Sequence, residues 1–171
     1  MKSAKTRQKK IGKNFEEDIK NSTPTSYYIH KYADSPVKYK KVHNPSDFEL
    51  MGNTKLMLLE CKTTKDTSFS VNNITPEQLY KMCMIVANKK NVVGGYLINF
   101  RRFNTTYFIS VENLVEFFAH SSRKSIPKEV LQEKGTIVPS IKKRTRYKYD
   151  IQFLIEYIEE RSKFYDTRTG T

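Results

Sequence analysis

Asp47, Glu60 and Lys62 are the residues of this chain whose types and spacing suit one chemistry: an aspartate, then D-x(12)-E-x-K. Leu56-Met57-Leu58-Leu59-Glu60-Cys61-Lys62 has the composition of a strand. Side chains alternate along it, so Leu56, Leu58, Glu60 and Lys62 share one face while Met57, Leu59 and Cys61 take the other. Both faces begin apolar. The strand is therefore expected to be buried, and an acid and a lysine at its end must leave water unless something there offsets the desolvation. A divalent cation does so, because magnesium takes a few carboxylate oxygens and completes its octahedron with water and substrate phosphate. Lys62 beside it could contact a scissile phosphate and stabilise the charge that develops as water attacks. A plain metal store has no use for that lysine. The spacing by itself also fits an internal ion pair of Glu60 with Lys62 at a strand end, with Asp47 in a solvated turn.

These side chains need elements to position them. Asp47 to Leu50, the Gly52-Asn53 turn and Lys55 to Lys62 form a predicted hairpin that sets Asp47 beside Glu60. Ile11, Phe15 and Ile19 recur every fourth residue, with Glu16, Glu17 and Asp18 around them and Pro24 after them, which predicts a first helix. Tyr27 to Tyr32 is a strand candidate, broken by Asp34, Ser35 and Pro36. Thr75-Pro76-Glu77-Gln78 is a capping-box pattern with proline at the first helical position, continued by Leu79, Met82, Cys83 and Val86. Val92 to Phe100 and Thr106 to Ser110 are further strands, joined by a loop holding Arg101 and Arg102. Val111 to Ala119 is a predicted helix. Arg123-Lys124-Ser125-Ile126-Pro127 opens a short helical piece that Gly135 closes, and Asp150 caps a last helix bearing Ile151, Leu154, Ile155 and Ile158. The expected fold is α/β, a mixed central sheet flanked by helices. Residues 1–13 form a basic, mobile arm, 14–165 a single domain and 166–171 a tail.

The chain has 171 residues, 31 lysines and arginines against 18 acids, a formal charge of +13, and 37% hydrophobic residues. It can build a core, and its surface attracts polyanions, nucleic acid first. Cys61 and Cys83 both fall inside predicted elements, which argues against a disulfide framework and for a reducing, cytoplasmic setting. Neither has a second cysteine or a histidine at zinc-ligand spacing. No apolar stretch approaches membrane-spanning length.

Asp47, Glu60-Cys61-Lys62 and the opening helix resemble the PD-(D/E)xK nuclease superfamily, specifically the RecU-type Holliday-junction resolvases. The likeness extends through Gly12-Lys13-Asn14-Phe15-Glu16-Glu17-Asp18-Ile19, Ser46-Asp47-Phe48, Glu60-Cys61-Lys62-Thr63-Thr64, Thr67-Ser68-Phe69, Gln78-Leu79 and Arg123-Lys124-Ser125-Ile126-Pro127, in that order. The resemblance implies a restriction-endonuclease-like core and a magnesium-dependent homodimer, with manganese able to substitute, that nicks two strands of a four-way DNA junction symmetrically. It implies Asp47 and Glu60 as metal ligands, Gln78 as a metal-shell or water contact, and Lys62 as the transition-state stabiliser. Glu16 matches an acidic helix position that orients Lys62 or a metal-bound water. Each of the last two helix residues has a plainer reading: Gln78 at the third helical position can serve Thr75, and Glu16 is one of three consecutive acids. The family's stalk has only Ala33 to His43 available here, which suits a compact phage member, and Pro45 stands where relatives offer a hydroxyl.

Basic residues fall in separate clusters: Lys9, Lys10 and Lys13; Arg101 and Arg102; Arg123 and Lys124; and Lys142, Lys143, Arg144 and Arg146 near Tyr147 and Tyr149. Such loops suit the phosphates of a branched duplex, and equally an ordinary wet surface. Rival chemistries lack their parts, because His30, His43 and His120 are scattered and no Gly-rich phosphate loop follows a strand. The reading is a structure-selective, metal-dependent endonuclease. Its alternatives are a less selective nicking or branched-DNA endonuclease and a non-catalytic nucleic-acid-binding protein on the same fold.

Overall fold

Alternation along residues 56–64 sets the frame. The computed structural model describes residues 4–33 and 44–168. In it, β3 (Leu56–Thr64) is an interior strand with Met57 and Leu59 buried on one side and Leu58 and Glu60 on the other. Its partners are β1 (Tyr28–Lys31), β2 (Phe48–Met51), β5 (Val92–Phe100), β6 (Thr105–Ser110) and β8 (Thr136–Val138), in the order β1-β2-β3-β5-β6-β8. Only β3 and β5 run parallel, with Glu60 opposite Tyr96 and Lys62 opposite Ile98, so the sheet is mixed as expected. A parallel pair needs a crossover, and α2 (Pro76–Asn88) supplies it.

Two apolar layers hold helices to the two faces. Phe15 and Ile19 of α1 (Ala4–Ser22) and Leu154, Ile155 and Ile158 of α5 (Ile151–Arg168) pack on the Met57, Leu59 and Cys61 face. Met82 of α2, Leu114 and Phe117 of α3 (Val111–Ala119) and Leu131 of α4 (Lys128–Lys134) cover Leu58, Tyr96 and Ile98. Each such side chain contributes about 1.5–3 kcal/mol by leaving water. A Cβ added at Gly94 would stand 2.6 Å from Met82 Cγ, so this glycine lets α2 lie close on β5 and brings Gln78 toward β3.

Several expectations change. Helix α1 begins at Ala4, so the segment expected to be an arm continues the helix and carries Lys9, Lys10 and Lys13 on its surface. Lysine, arginine and glutamine are good helix formers, and charge alone does not distinguish a solvated tail from a solvated helix face. Ser125–Pro127 is extended, not helical: it is β7, paired with β4 (Ser68–Ser70), and α4 starts only at Lys128. The residue before a proline favours extended backbone, which explains the shift. A hairpin of β9 (Ser140–Lys142) and β10 (Tyr147–Tyr149) adds to the expected elements. Asp150 does cap α5, accepting from Phe153 N at 2.9 Å. Residues 34–43, which hold nearly all of the segment available for a shortened stalk, lie outside the described residues. Cys61 and Cys83 are both free, and among the described residues no helix is long and apolar enough to cross a membrane.

Candidate active site

The hairpin places Asp47 just before β2, where backbone and side chain are both tied to β3. Its amide donates to Leu59 O at 3.1 Å, and its Oδ2 accepts the Cys61 amide at 2.7 Å. The alternation that buries Leu58 also buries Glu60, which is 2% exposed. Lys62 Nζ lies 2.6 Å from Glu60 Oε1, and Gln78 Nε2 donates to Glu60 Oε2 at 2.6 Å. Each carboxylate oxygen thus has its own donor. Thr75 makes no side-chain cap bond, so Gln78 serves Glu60 and not the capping box.

Burial and the neighbouring Glu60 push the Asp47 carboxyl up to about 8, against the Cys61 amide and Lys62, which pull it down. Burial also raises Glu60, and Lys62 opposes this by charge and by hydrogen bond. Two acids are held where water solvates neither well, an arrangement that favours a cation between them. The same burial, with Asp47 and Glu60 nearby, pushes the Cys61 thiol well up, which disqualifies it as a nucleophile.

Among the described residues no three of His, Cys, Asp and Glu converge into a metal cage. Magnesium does not need one: it is held through one or two carboxylates plus water and substrate phosphate. Asp47 and Glu60 are hard oxygen donors of that kind. The Tyr96 hydroxyl, opposite Glu60 in the strand register, is buried without a hydrogen-bond partner, as suits a group that meets a water or ion. The donor set fits a divalent cation, which Asp47 and Glu60 would hold.

Glu16 of α1 has a partner that the sequence reading did not name. Its Oε2 pairs with Lys31 Nζ at 2.8 Å, not with Lys62, although its charge still raises both Asp47 and Glu60. Burial lowers Lys31, but the bond to Glu16 and the charges of Glu16 and Asp47 outweigh it and raise the ammonium overall. Lys31 and Tyr96 are site residues that sequence reasoning missed. Only their registers, Lys31 opposite Phe48 and Tyr96 opposite Glu60, reveal them.

The basic clusters divide. Arg101 follows β5, with its amide on Thr64 O at 3.0 Å, two residues past Lys62; its Nε and Nη2 are buried, whereas Arg102 is exposed. Arg123 and Lys124 are exposed just before β7, and Lys124 O accepts from Val71 N at 3.0 Å, ahead of α2. Lys9, Lys10 and Lys13 share α1 with Glu16. Arg146 is part-exposed and tied to α1, its Nε 2.5 Å from Asp18 Oδ1.

Three comparisons with known proteins find similarities to this chain. The family model RecU, Recombination protein U, matches residues 10–160. The chain is 28% identical over 159 residues to the SPbeta prophage-derived uncharacterized protein YotM of Bacillus subtilis (strain 168), covering 81% of each. Its fold is similar to that of Archaeoglobus fulgidus Hjc, a Holliday junction resolvase from an archaeal hyperthermophile, with a TM-score of 0.50 and 14% identity over 72% of this chain and 93% of that one.

Proposed function

The chain belongs to the RecU family, and on that premise we propose that it is an intracellular, magnesium-dependent endodeoxyribonuclease that acts as a homodimer on four-way DNA junctions. Manganese is expected to replace magnesium. The observation that carries this reading is Glu60, buried midway along an interior strand between Lys62 and Gln78 at 2.6 Å each, with Asp47 tied beside it.

When bound, a divalent cation supplies a Lewis acid for the phosphate and lowers the pKa of an attacking water. Asp47 and Glu60 would hold it with carboxylates that burial keeps poorly hydrated. Gln78 fixes the rotamer of Glu60. Lys62 has its ammonium at the mouth of the site, where it can leave Glu60 for a non-bridging phosphate oxygen and stabilise the charge of the transition state. Glu16 and Lys31 form a paired flank behind Asp47.

The test is a substrate panel. With magnesium, purified protein is expected to cut a synthetic four-way junction into nicked duplexes, while Asp47→Asn and Lys62→Ala bind the junction without cutting it. A wild type that binds and never cuts, or variants that keep full activity, would refute the catalysis. Equal cutting of linear duplex and junction would leave the nuclease and remove the junction selectivity.

A further inference from the structure

One cavity among the described residues lies away from the candidate active site. It measures about 300 Å³ and opens at the other end of the sheet, where β3 and β5 begin. Val93 is opposite Met57, three residues before Glu60 and five before Lys62, so at ~3.3 Å per residue the cavity floor lies roughly 10–16 Å along the strand from these site residues. The floor is apolar: Val86, Val92, Val93, Phe108, Tyr157 and Ile158. The rim is cationic, with Lys55, Lys89, Lys90, Lys134 and Arg161 against one lining acid, Glu112.

The rim is also built. Lys55 Nζ donates to Lys90 O at 3.0 Å, Lys134 Nζ pairs with Glu116 at 3.0 Å, and Arg161 Nη1 donates to the Tyr157 hydroxyl at 2.7 Å. Lys89 and Lys90 are exposed. Counting Glu116, which pairs with Lys134, five cations face two acids, still a steeper ratio than the 31 against 18 of the whole chain. Phosphodiester backbone would satisfy the rim but has nothing for the apolar floor. A second copy of this chain would have to bring an acidic patch around one protruding apolar group, and a net charge of +13 disfavours such a patch. One bulky apolar group with several separated negative charges around it satisfies both parts.

We propose that this cavity is a docking site for an acidic peptide segment of a partner protein, which inserts one large apolar side chain between Phe108, Tyr157 and Val93 while its carboxylates meet the lysines and Arg161 at the rim. Because the cavity is at the far end of the sheet, the partner can be held while DNA occupies the catalytic end.

The probe is a fluorescein-labelled decapeptide of aspartates and glutamates around one central phenylalanine, compared by anisotropy on the full chain with the same peptide carrying alanine at the centre. The phenylalanine peptide is expected to bind saturably and at least tenfold more tightly. Lys89→Glu with Lys90→Glu is expected to weaken it tenfold or more. Ser162→Trp, which fills the cavity from α5, is expected to abolish the difference between the two peptides while leaving the melting temperature and the rate of junction cutting unchanged. Absence of saturable binding, equal affinity for the two peptides, or full phenylalanine-peptide affinity in Ser162→Trp would each overturn the proposal and leave the nuclease reading untouched. Complete displacement of the peptide by catalytically inert junction DNA would also overturn it, by assigning the rim to DNA.

Discussion

Replacing Asp47 with asparagine is expected to stabilise the metal-free protein while stopping its chemistry. The Asp47 carboxyl lies near 8 in the folded protein against an ordinary 3.8. An acid whose pKa is raised by folding contributes stability that is complete below its unfolded value and is lost as pH rises toward its folded one. At pH 7 the folded chain keeps a proton that the unfolded chain has released, and at 1.36 kcal/mol per unit the cost approaches about 4 kcal/mol. Asparagine carries no such charge, and its carbonyl can still accept the Cys61 amide. Side-chain relaxation and water entry return part of the cost, so the expected gain is roughly 2–4 kcal/mol, or a rise in Tm of roughly 5–15 °C for a chain of this size. The assay is thermal unfolding by circular dichroism in EDTA at pH 5 and pH 8. The gap between variant and wild type should widen from pH 5 to pH 8, and magnesium should narrow it by raising the wild type more. A variant that melts at or below the wild type in EDTA at pH 8, or a gap that does not change with pH, would show that the two acids are not held together out of water.

Gln78→Leu removes one of the two donors on Glu60 and leaves Oε2 buried without a partner. It is expected to raise the magnesium concentration for half-maximal cutting by about 10–100-fold, as removal of an outer-shell partner does, read from a magnesium titration of the cutting rate. Arg102→Ala combined with Lys124→Ala removes two exposed cations beyond the end of β3. Junction affinity should fall, and the slope of log K against log salt should become shallower by about 0.9 for each phosphate that the variant no longer neutralises, measured by anisotropy with catalytically inert protein.

Much of the fold is legible in the sequence because the segments concerned are periodic and long enough to decide between helix and strand. Met57, Leu59 and Cys61 sort to one face and Leu58 and Glu60 to the other by alternation alone, and the two apolar layers follow that sorting. Short elements escape for the opposite reason. The strands β4, β7, β8, β9 and β10 have three residues each, too few to show an alternation, and exist because a neighbour completes their hydrogen bonds. At α1 composition competes with periodicity: a run of lysines that suits a solvated arm is also a good helix surface once Phe15 and Ile19 anchor the next turns.

The candidate site shows the same division more sharply. Asp47, Glu60 and Lys62 are separated by intervals that a hairpin and an alternating strand convert directly into proximity, so local rules suffice for them. Gln78 is ambiguous in sequence, since position three of a capping box predicts a bond to Thr75, and what decides it is the close seating of α2 at Gly94, a packing fact that no local pattern contains. Glu16 and Lys31 depend on how a helix from one face meets an edge strand, and Tyr96 on a parallel register across a crossover. Their partners are therefore set by tertiary distance. It follows that substitutions at Asp47 or Lys62 test the chemistry, whereas Gly94→Ala tests the positioning. A Cβ there meets Met82 at 2.6 Å, pushes α2 outward, and should reproduce the magnesium dependence of Gln78→Leu without touching any group of the site. Unchanged magnesium dependence in a folded Gly94→Ala protein would mean that Glu60 does not need α2 to hold it.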